Sequence, residues 1–348
     1  MKINKVRAGV LALLIAATGT TLAGCGAPPA SGGAGGAAPS LCMVTDTNGI
    51  DDGSFNELTY AGLTRAGGTK PTVTISRTPD DYVPNVESLV NGDCRMIVGV
   101  GFNLVDAIRS AAEANPEIRF AIVDDGSIDL PNVTTITFDI TPAAFLAGYT
   151  AASYSTTGVV GTYGGTQIPP VTAFMDGFAR GVDYFNRQNK ASVTVVGWNV
   201  AKQTGTFVGG YAAGVEAKTV TQSLLDQRAD VLMPVGGPIY QSAAEAIRDR
   251  GTSAALIGVD TDGYESDRKY QSLFLTSVLK HVDVAVAQAA GATGNAAGAA
   301  GTAGYVGTLA NNGVGVAPFH DFADRAGTAL GAELDKIRAG LVDGSIKP

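Results

Sequence analysis

Val44-Thr45-Asp46-Thr47-Asn48-Gly49-Ile50-Asp51-Asp52-Gly53-Ser54-Phe55-Asn56 decides the fold of this chain. An apolar run, Leu41 to Val44, enters it. An amphipathic run, Phe55, Leu58, Ala61 and Leu63, leaves it. Between them lie three carboxylates, two glycines and a helix-start pattern. The reading is strand, loop, helix, with polar groups gathered where a parallel strand ends. Ligands of open α/β sheets bind there, outside the carboxyl ends of strands. The loop therefore reads as half of a small-molecule clamp.

Upstream of it, residues 1–24 read as a secretion signal. Lys2, Lys5 and Arg7 form a positive start, and Ala8 to Ala17 is almost wholly apolar, too short for a membrane span. Leu22-Ala23-Gly24-Cys25 resembles a bacterial lipobox, which implies lipid on Cys25; the plainer alternative is a signal peptide with an incidental cysteine. Residues 25–40 read as the tether. Pro28 to Ser40 holds no charge and no large apolar residue and has too little to bury. Such a coil spans roughly 20 Å.

Without residues 1–24 the chain carries 21 Lys+Arg against 32 Asp+Glu, a net charge of −11. That balance argues against nucleic acid, whose phosphates need clustered cations. Roughly 300 residues exceeds what one hydrophobic core usually serves, so two lobes are expected.

Downstream, strand and helix patterns alternate, which implies parallel sheets with right-handed crossovers. A first series has strands at 41–45, 72–77, 96–100, 119–123 and 133–138. Pro142 opens an apolar helix, and a second series follows, with strands at 158–163, 192–198, 231–234, 255–259 and 273–276. In the second series a helix is expected from Phe207 to Gln227, and another from Val278 to Ala290. Residues 291–304 are low-complexity Gly, Ala and Thr and read as a surface loop. Tyr305–Leu309 and Gly313–Ala317 read as a hairpin around Asn311-Asn312-Gly313. A last helix is expected from about Asp321 to Gly340.

Cys42 and Cys94 start two strands that are neighbours in a doubly wound sheet of order 2-1-3. An exported chain sees an oxidising compartment, so a disulfide is expected, with two buried free thiols as the alternative.

Several chemistries have no support. His281 and His320 are far apart, without zinc-site spacing, and no GxSxG elbow, P-loop or GxGxxG after the first strand occurs. The expectation is no metal, no cofactor and no catalytic residue. A secreted Asp-dependent hydrolase is the enzyme alternative, since glycoside hydrolysis needs only two carboxylates.

Six segments carry a family likeness: Cys42-Met43-Val44-Thr45-Asp46, Asp51-Asp52-Gly53-Ser54-Phe55-Asn56, Ile97-Val98-Gly99-Val100-Gly101-Phe102, Phe145-Leu146-Ala147-Gly148-Tyr149, Gly258-Val259-Asp260-Thr261-Asp262 and Leu275-Thr276-Ser277-Val278-Leu279-Lys280. From about Leu41 to Pro318 the chain resembles the basic membrane protein family, substrate-binding lipoproteins of ABC importers typified by bacterial purine nucleoside receptors. The resemblance implies an α/β, type I periplasmic-binding-protein clamshell: two doubly wound parallel-sheet lobes with a ligand cleft between them. The N-terminal lobe would take residues 41–141 plus about 277–304, and the C-terminal lobe 142–276 plus about 305–348. It implies a monomer held by lipid on the extracytoplasmic face of the membrane, a nucleoside ligand, an ABC permease as partner, and no enzymatic reaction. A sugar or other small metabolite on the same fold is the runner-up.

The resemblance also implies the site. Phe55 and Phe207, each at a helix start in opposite lobes, would sandwich the base. Asp46 and Asn56 would bond its edge, joined by Asp124, with Asp125 the competing choice. Asp51 and Asp52 read instead as N-caps of the helix they precede. Asp260, with Asp262 as alternate, would accept from the ribose hydroxyls, and Lys280 would donate; an exposed helix cation is the plainer reading of Lys280. Gly236 would let backbone approach the sugar.

Overall fold

A computed structural model describes residues 40–92, 94–291 and 304–348. The expected signal peptide, Cys25, all of the tether but Ser40, and most of the Gly/Ala loop lie outside the described residues. Ser40 already pairs in a strand.

Fourteen strands form two six-stranded sheets and a short ribbon among the described residues. In the first lobe these are β1 (Ser40–Val44), β2 (Thr72–Thr74), β3 (Cys94–Val100), β4 (Arg119–Val123) and β5 (Val133–Phe138). Second-lobe strands are β6 (Val159–Gly164), β7 (Thr194–Val196), β10 (Val231–Val235), β11 (Ala255–Asp260) and β12 (Phe274–Lys280), with β8 (Trp198–Asn199) and β9 (Thr204–Gly205) as the ribbon. The last two are β13 (Tyr305–Gly307) and β14 (Val314–Val316). The first sheet runs β2-β1-β3-β4-β5-β13, all parallel; the second runs β7-β6-β10-β11-β12-β14, with only β14 antiparallel. Their central strands are buried on both faces, as parallel sheets covered by helices require.

The hairpin expected at residues 305–317 does not form. β13 adds to β5 in the first sheet, while β14 adds to β12 in the second. The Asn-Asn-Gly turn is real, with Asn311 Oδ1 accepting from Thr308 N (2.8 Å) and Gly313 N (2.9 Å), but it turns the chain between lobes. The lobe boundaries shift accordingly: residues 277–280 belong to the second sheet and 305–307 to the first. The chain thus passes between lobes three times, after β5, after β12 and after β13.

Among the described residues, ten α-helices cover the sheets: α1 (Phe55–Gly67), α2 (Tyr82–Val90), α3 (Val105–Ala114), α4 (Thr141–Tyr154), α5 (Pro169–Asn189), α6 (Val215–Asp226), α7 (Ile239–Arg250), α8 (Gly263–Ser266), α9 (Val282–Gly291) and α10 (Ala323–Asp343). Helix α4 is apolar all round and buried along Pro142–Ala152, the pattern of a helix with neighbours on every side. Its tightest neighbour is α5. A Cβ at Gly148 would lie 1.9 Å from Phe178 O, and one at Gly181 2.0 Å from Phe145 O. Glycine is what allows these two backbones to touch. In the first lobe α9 packs on α1 by the same device at Gly62, 2.6 Å from Asp283 O. A disulfide joins Cys42 in β1 to Cys94 in β3.

Candidate ligand site between the lobes

A cavity open to solvent on one side lies where the carboxyl ends of both sheets meet, the place where open α/β sheets bind ligands. The first lobe supplies Asp46 and Asn48 after β1, Asp52 and Phe55 at the start of α1, Gly101 to Asn103 after β3, and Asp124 after β4. Across from them stand Ile168, Val171 and Phe174 at the start of α5, Tyr211, Gly236 and Gly237 after β10, Asp260 ending β11 and Lys280 ending β12.

The loop from Asp46 to Asn56 is a hydrogen-bonded unit. Asp52 is buried and caps α1: its carboxylate accepts from Ser54 N (2.9 Å), Asn56 N (3.0 Å) and Glu57 N (3.1 Å). Asp51 is exposed and makes no such bond. Asn56 donates Nδ2 to Asp46 Oδ1 (2.7 Å) and to Asp52 Oδ2 (3.0 Å), and its Oδ1 accepts from Asp46 N (3.2 Å). Every polar atom of the Asn56 amide is thus used inside the protein, and the residue is fully buried outside the cavity wall. Asn56, expected from sequence at the base edge, lies off the cavity wall and bonds Asp46 instead. Asp46 Oδ1 also accepts from Asn48 N (2.9 Å), which turns the carboxylate across the strand end. Burial holds the Asp46 carboxyl above its ordinary range, against the pull of the Asn56 and Asn48 bonds.

Lys280, Asp124 and Asp260 form a second cluster. Lys280 is 3% exposed and donates to Asp124 Oδ2 at 2.5 Å. It ends a strand, so the exposed-helix reading is excluded, and the helix expected from Val278 begins only at Val282. Its ammonium stands 4.9 Å from the Phe55 ring centre, 5.1 Å from Phe138 and 5.9 Å from Phe174. Asp124 and Asp260 both adopt left-handed backbone, with φ of +68° and +67°. That conformation is uncommon outside glycine, is most tolerated by Asp and Asn, and concentrates at functional sites. Burial pushes the Asp260 carboxyl up to about 6, with Lys280 opposing the rise and Asp124 adding to it. The alternates are otherwise engaged: Asp125 accepts from Ser127 N (2.7 Å) and Oγ (2.6 Å), and Asp262 caps α8 at Tyr264 N (3.2 Å) and meets His320 Nε2 (2.7 Å).

Phe207 is not at the cavity. The helix expected to begin there begins at Val215. Residues 206–209 instead run beside Gly164 and Gly165, with Val208 N donating to Gly164 O (2.9 Å) and Gly209 N to Gly165 O (2.8 Å). Phe207 packs edge-on against Trp198, ring centres 5.9 Å apart. The same segment carries Tyr211 to the cavity wall. Its ring lies on two glycines, where a Cβ at Gly165 or Gly236 would come within 2.3 or 2.5 Å of it. The phenol bonds Thr166 Oγ1, and burial raises its pKa to about 12. Gly236 therefore seats Tyr211 as well as lining the site. Phe174 and Tyr211 were missed from sequence; the glycine pairs closing β6 and β10 are the signal that a large ring fills the space above them.

The lobes are latched across the cleft. Ser54 Oγ donates to Asp260 Oδ2 at 3.0 Å, Thr261 Oγ1 to Gly53 O at 3.3 Å, and Lys280 to Asp124.

A family model described as ABC transporter substrate-binding protein, PnrA-like (Bmp), matches residues 40–317. The chain belongs to the Bmp family. This Bmp-family chain is therefore an extracytoplasmic substrate-binding protein of an ABC transporter, not an enzyme, and works with a ligand and a permease. It is 29% identical to the ABC transporter nucleoside-binding protein BmpA of Lactococcus lactis subsp. cremoris, over 98% of each chain. It is also 29% identical to a CD4+ T-cell-stimulating antigen of Listeria innocua, over 99% of this chain and 98% of that one. A solved ABC transporter solute-binding protein from Aeropyrum pernix superposes with a TM-score of 0.77 at 22% identity, covering 89% of this chain and 92% of the other, which establishes the clamshell fold. Among the described residues, no helix is long and apolar enough to cross a membrane, and no cluster of three or more His, Cys, Asp or Glu is fit to hold a metal.

Proposed function

We propose that the protein is a nucleoside receptor, lipid-anchored through Cys25, that delivers its ligand to an ABC permease. The observation that carries this reading is the pairing of walls. Aromatic rings line the cavity from both lobes, Phe55 from one and Phe174 and Tyr211 from the other, beside two separate carboxylate clusters. A flat base suits the rings. Asp46, with Asn48 and Asn103 nearby on the wall, suits the base edge, since a carboxylate accepts ring and amino N–H groups. Asp260 suits vicinal ribose hydroxyls, with Lys280 as donor. The name of the Lactococcus relative points the same way.

Ligand contacts made by both lobes would favour the closed form, and the permease would recognise that form. The test is thermal shift of the purified protein with guanosine, adenosine, inosine, uridine and ribose, together with mass spectrometry of any ligand carried through purification. At least one nucleoside is expected to raise Tm. Response to ribose alone would move the reading to a sugar receptor. For the anchor, Cys25→Ser is expected to release the protein from the membrane fraction.

A further inference from the structure

We propose that His320 is a positioning residue for the ligand site. From outside the cavity it holds the turn Asp260-Thr261-Asp262, and through that turn it sets both a carboxylate that faces the ligand and a bond that closes the lobes. The inference rests on the receptor reading above and adds to it a residue that touches no ligand.

The three side chains of the turn serve three places. Asp260 lines the cavity and accepts from Ser54 Oγ of the first lobe at 3.0 Å. Thr261 Oγ1 donates to Gly53 O, also of the first lobe, at 3.3 Å. Asp262 lies off the cavity wall: its Oδ1 accepts from Tyr264 N (3.2 Å) and its Oδ2 from His320 Nε2 (2.7 Å). Asp260 holds left-handed backbone, with φ of +67°. For a residue with a Cβ, such a conformation persists where the surroundings over-determine it.

Here the surroundings are a clasp. Helix α8, which follows the turn, is four residues long, too short to hold itself. His320 and Asp321 grip it from the segment after β14. The His320 ring lies flat on the Tyr264 ring, with centres 4.1 Å apart and planes within 5°. The Tyr264 hydroxyl donates to Asp321 Oδ1 at 3.0 Å. His320 itself takes left-handed backbone, with φ of +43°. The His320 and Asp262 side chains are 18% and 21% exposed, so their bond is largely shielded from competing water.

The clasp is anchored in turn. Ala317, three residues before His320, is fixed to β12: its N–H donates to Ser277 O (2.8 Å) and its carbonyl accepts from Thr276 Oγ1 (2.6 Å). The strand just before it, β14, is where the chain arrives after its third passage between lobes. His320 thus carries the position of that passage to the turn that meets the first lobe. A binding group must be held to within about 0.5 Å by the packing and hydrogen bonds around it. A turn released from His320 loses the aim of Asp260 and Thr261 together.

The test is isothermal titration of the purified full chain and its variants with guanosine, adenosine, inosine and uridine. His320→Phe keeps a ring against Tyr264 and removes the donor. His320→Gln keeps an N–H donor at similar reach and removes the ring. His320→Phe is expected to weaken binding of whichever nucleoside the parent takes at least fivefold, with His320→Gln within twofold of the parent. A smaller loss for His320→Phe, or a loss for His320→Gln as large as that for His320→Phe, overturns the inference and leaves the receptor reading intact. If circular dichroism shows that His320→Phe does not fold, His320→Asn takes its place in the comparison, since Asn suits left-handed backbone but is too short to reach Asp262. If the parent binds none of the four nucleosides, the receptor reading fails, and small-angle scattering of the ligand-free proteins decides this inference. A larger radius of gyration for His320→Phe than for the parent and His320→Gln supports it; equal curves overturn it.

Discussion

Tyr211 and Phe207 stand four residues apart and have opposite fates, so substituting each separates stacking from packing. Base–aromatic stacking contributes roughly 1–3 kcal/mol by alanine substitution in nucleic-acid binders. Phe55→Ala and Tyr211→Ala are each expected to weaken nucleoside binding by about tenfold or more, measured by titration. Phe207→Ala should instead lower Tm by loosening the contact with Trp198 and leave affinity nearly unchanged. Asp260 sets a pH dependence. Its carboxyl is raised from 3.8 to about 6, so the folded protein holds that proton more tightly than the unfolded chain does. The group's contribution to stability is full below the unfolded value and is lost as pH rises through about 6. With Asp260 as the proposed acceptor of ribose hydroxyls, ligand affinity runs the other way, because that role needs the ionised carboxylate. Affinity is expected to fall by about tenfold per pH unit below 6, and Asp260→Asn should flatten that slope.

At the scale of elements, the α4–α5 pair is the least forgiving part of the second lobe. Their backbones meet through Gly148, Gly177 and Gly181, and a methyl group at any of these would strike a carbonyl oxygen. Overpacking of a tight core typically costs about 1–3 kcal/mol; here the obstacle is backbone, so Gly148→Ala is expected to reach at least the upper end in urea unfolding. The disulfide is anchored at Cys42, midway along β1 and four residues before Asp46. It joins residues 52 apart, and removing such a link typically costs 2–5 kcal/mol. Replacing Cys42 and Cys94 by Ala together should lower stability by about that amount and change nucleoside affinity little.

For the whole molecule, closure rests on a few bonds between lobes. Ser54 to Asp260 joins the start of α1 to the end of β11, and Lys280 to Asp124 joins the end of β12 to the end of β4. A hydrogen bond to a charged group contributes about 1.5–3 kcal/mol net. Ser54→Ala is expected to enlarge the radius of gyration of the ligand-free protein in small-angle scattering and to weaken binding several-fold, since the ligand must then close a more open clamp. An unchanged scattering curve would mean that the other contacts hold the lobes without Ser54.

The sequence by itself determined the two α/β series, the first-sheet order around β1, and the capping of α1 by an aspartate. All of these follow from local patterning: apolar runs, helix-start residues, and the rule that parallel strands need crossovers. It also placed Asp46, Asp124, Gly236 and Asp260 near strand ends and Phe55 at a helix start, all of which line the cavity, whereas Lys280, read on a helix, ends β12 instead. Tertiary structure decided the rest, because the deciding contacts are distant in the chain. Asn56 looks like a ligand contact beside Phe55 until Asp46 and Asp52 are seen to use its whole amide. Tyr211 has no local signature; it faces the site because Gly165 and Gly236 leave room for its ring. Residues 305–317 read as a hairpin because a turn pattern specifies that the chain reverses, whereas the partner of each strand is set by which sheet edge is open.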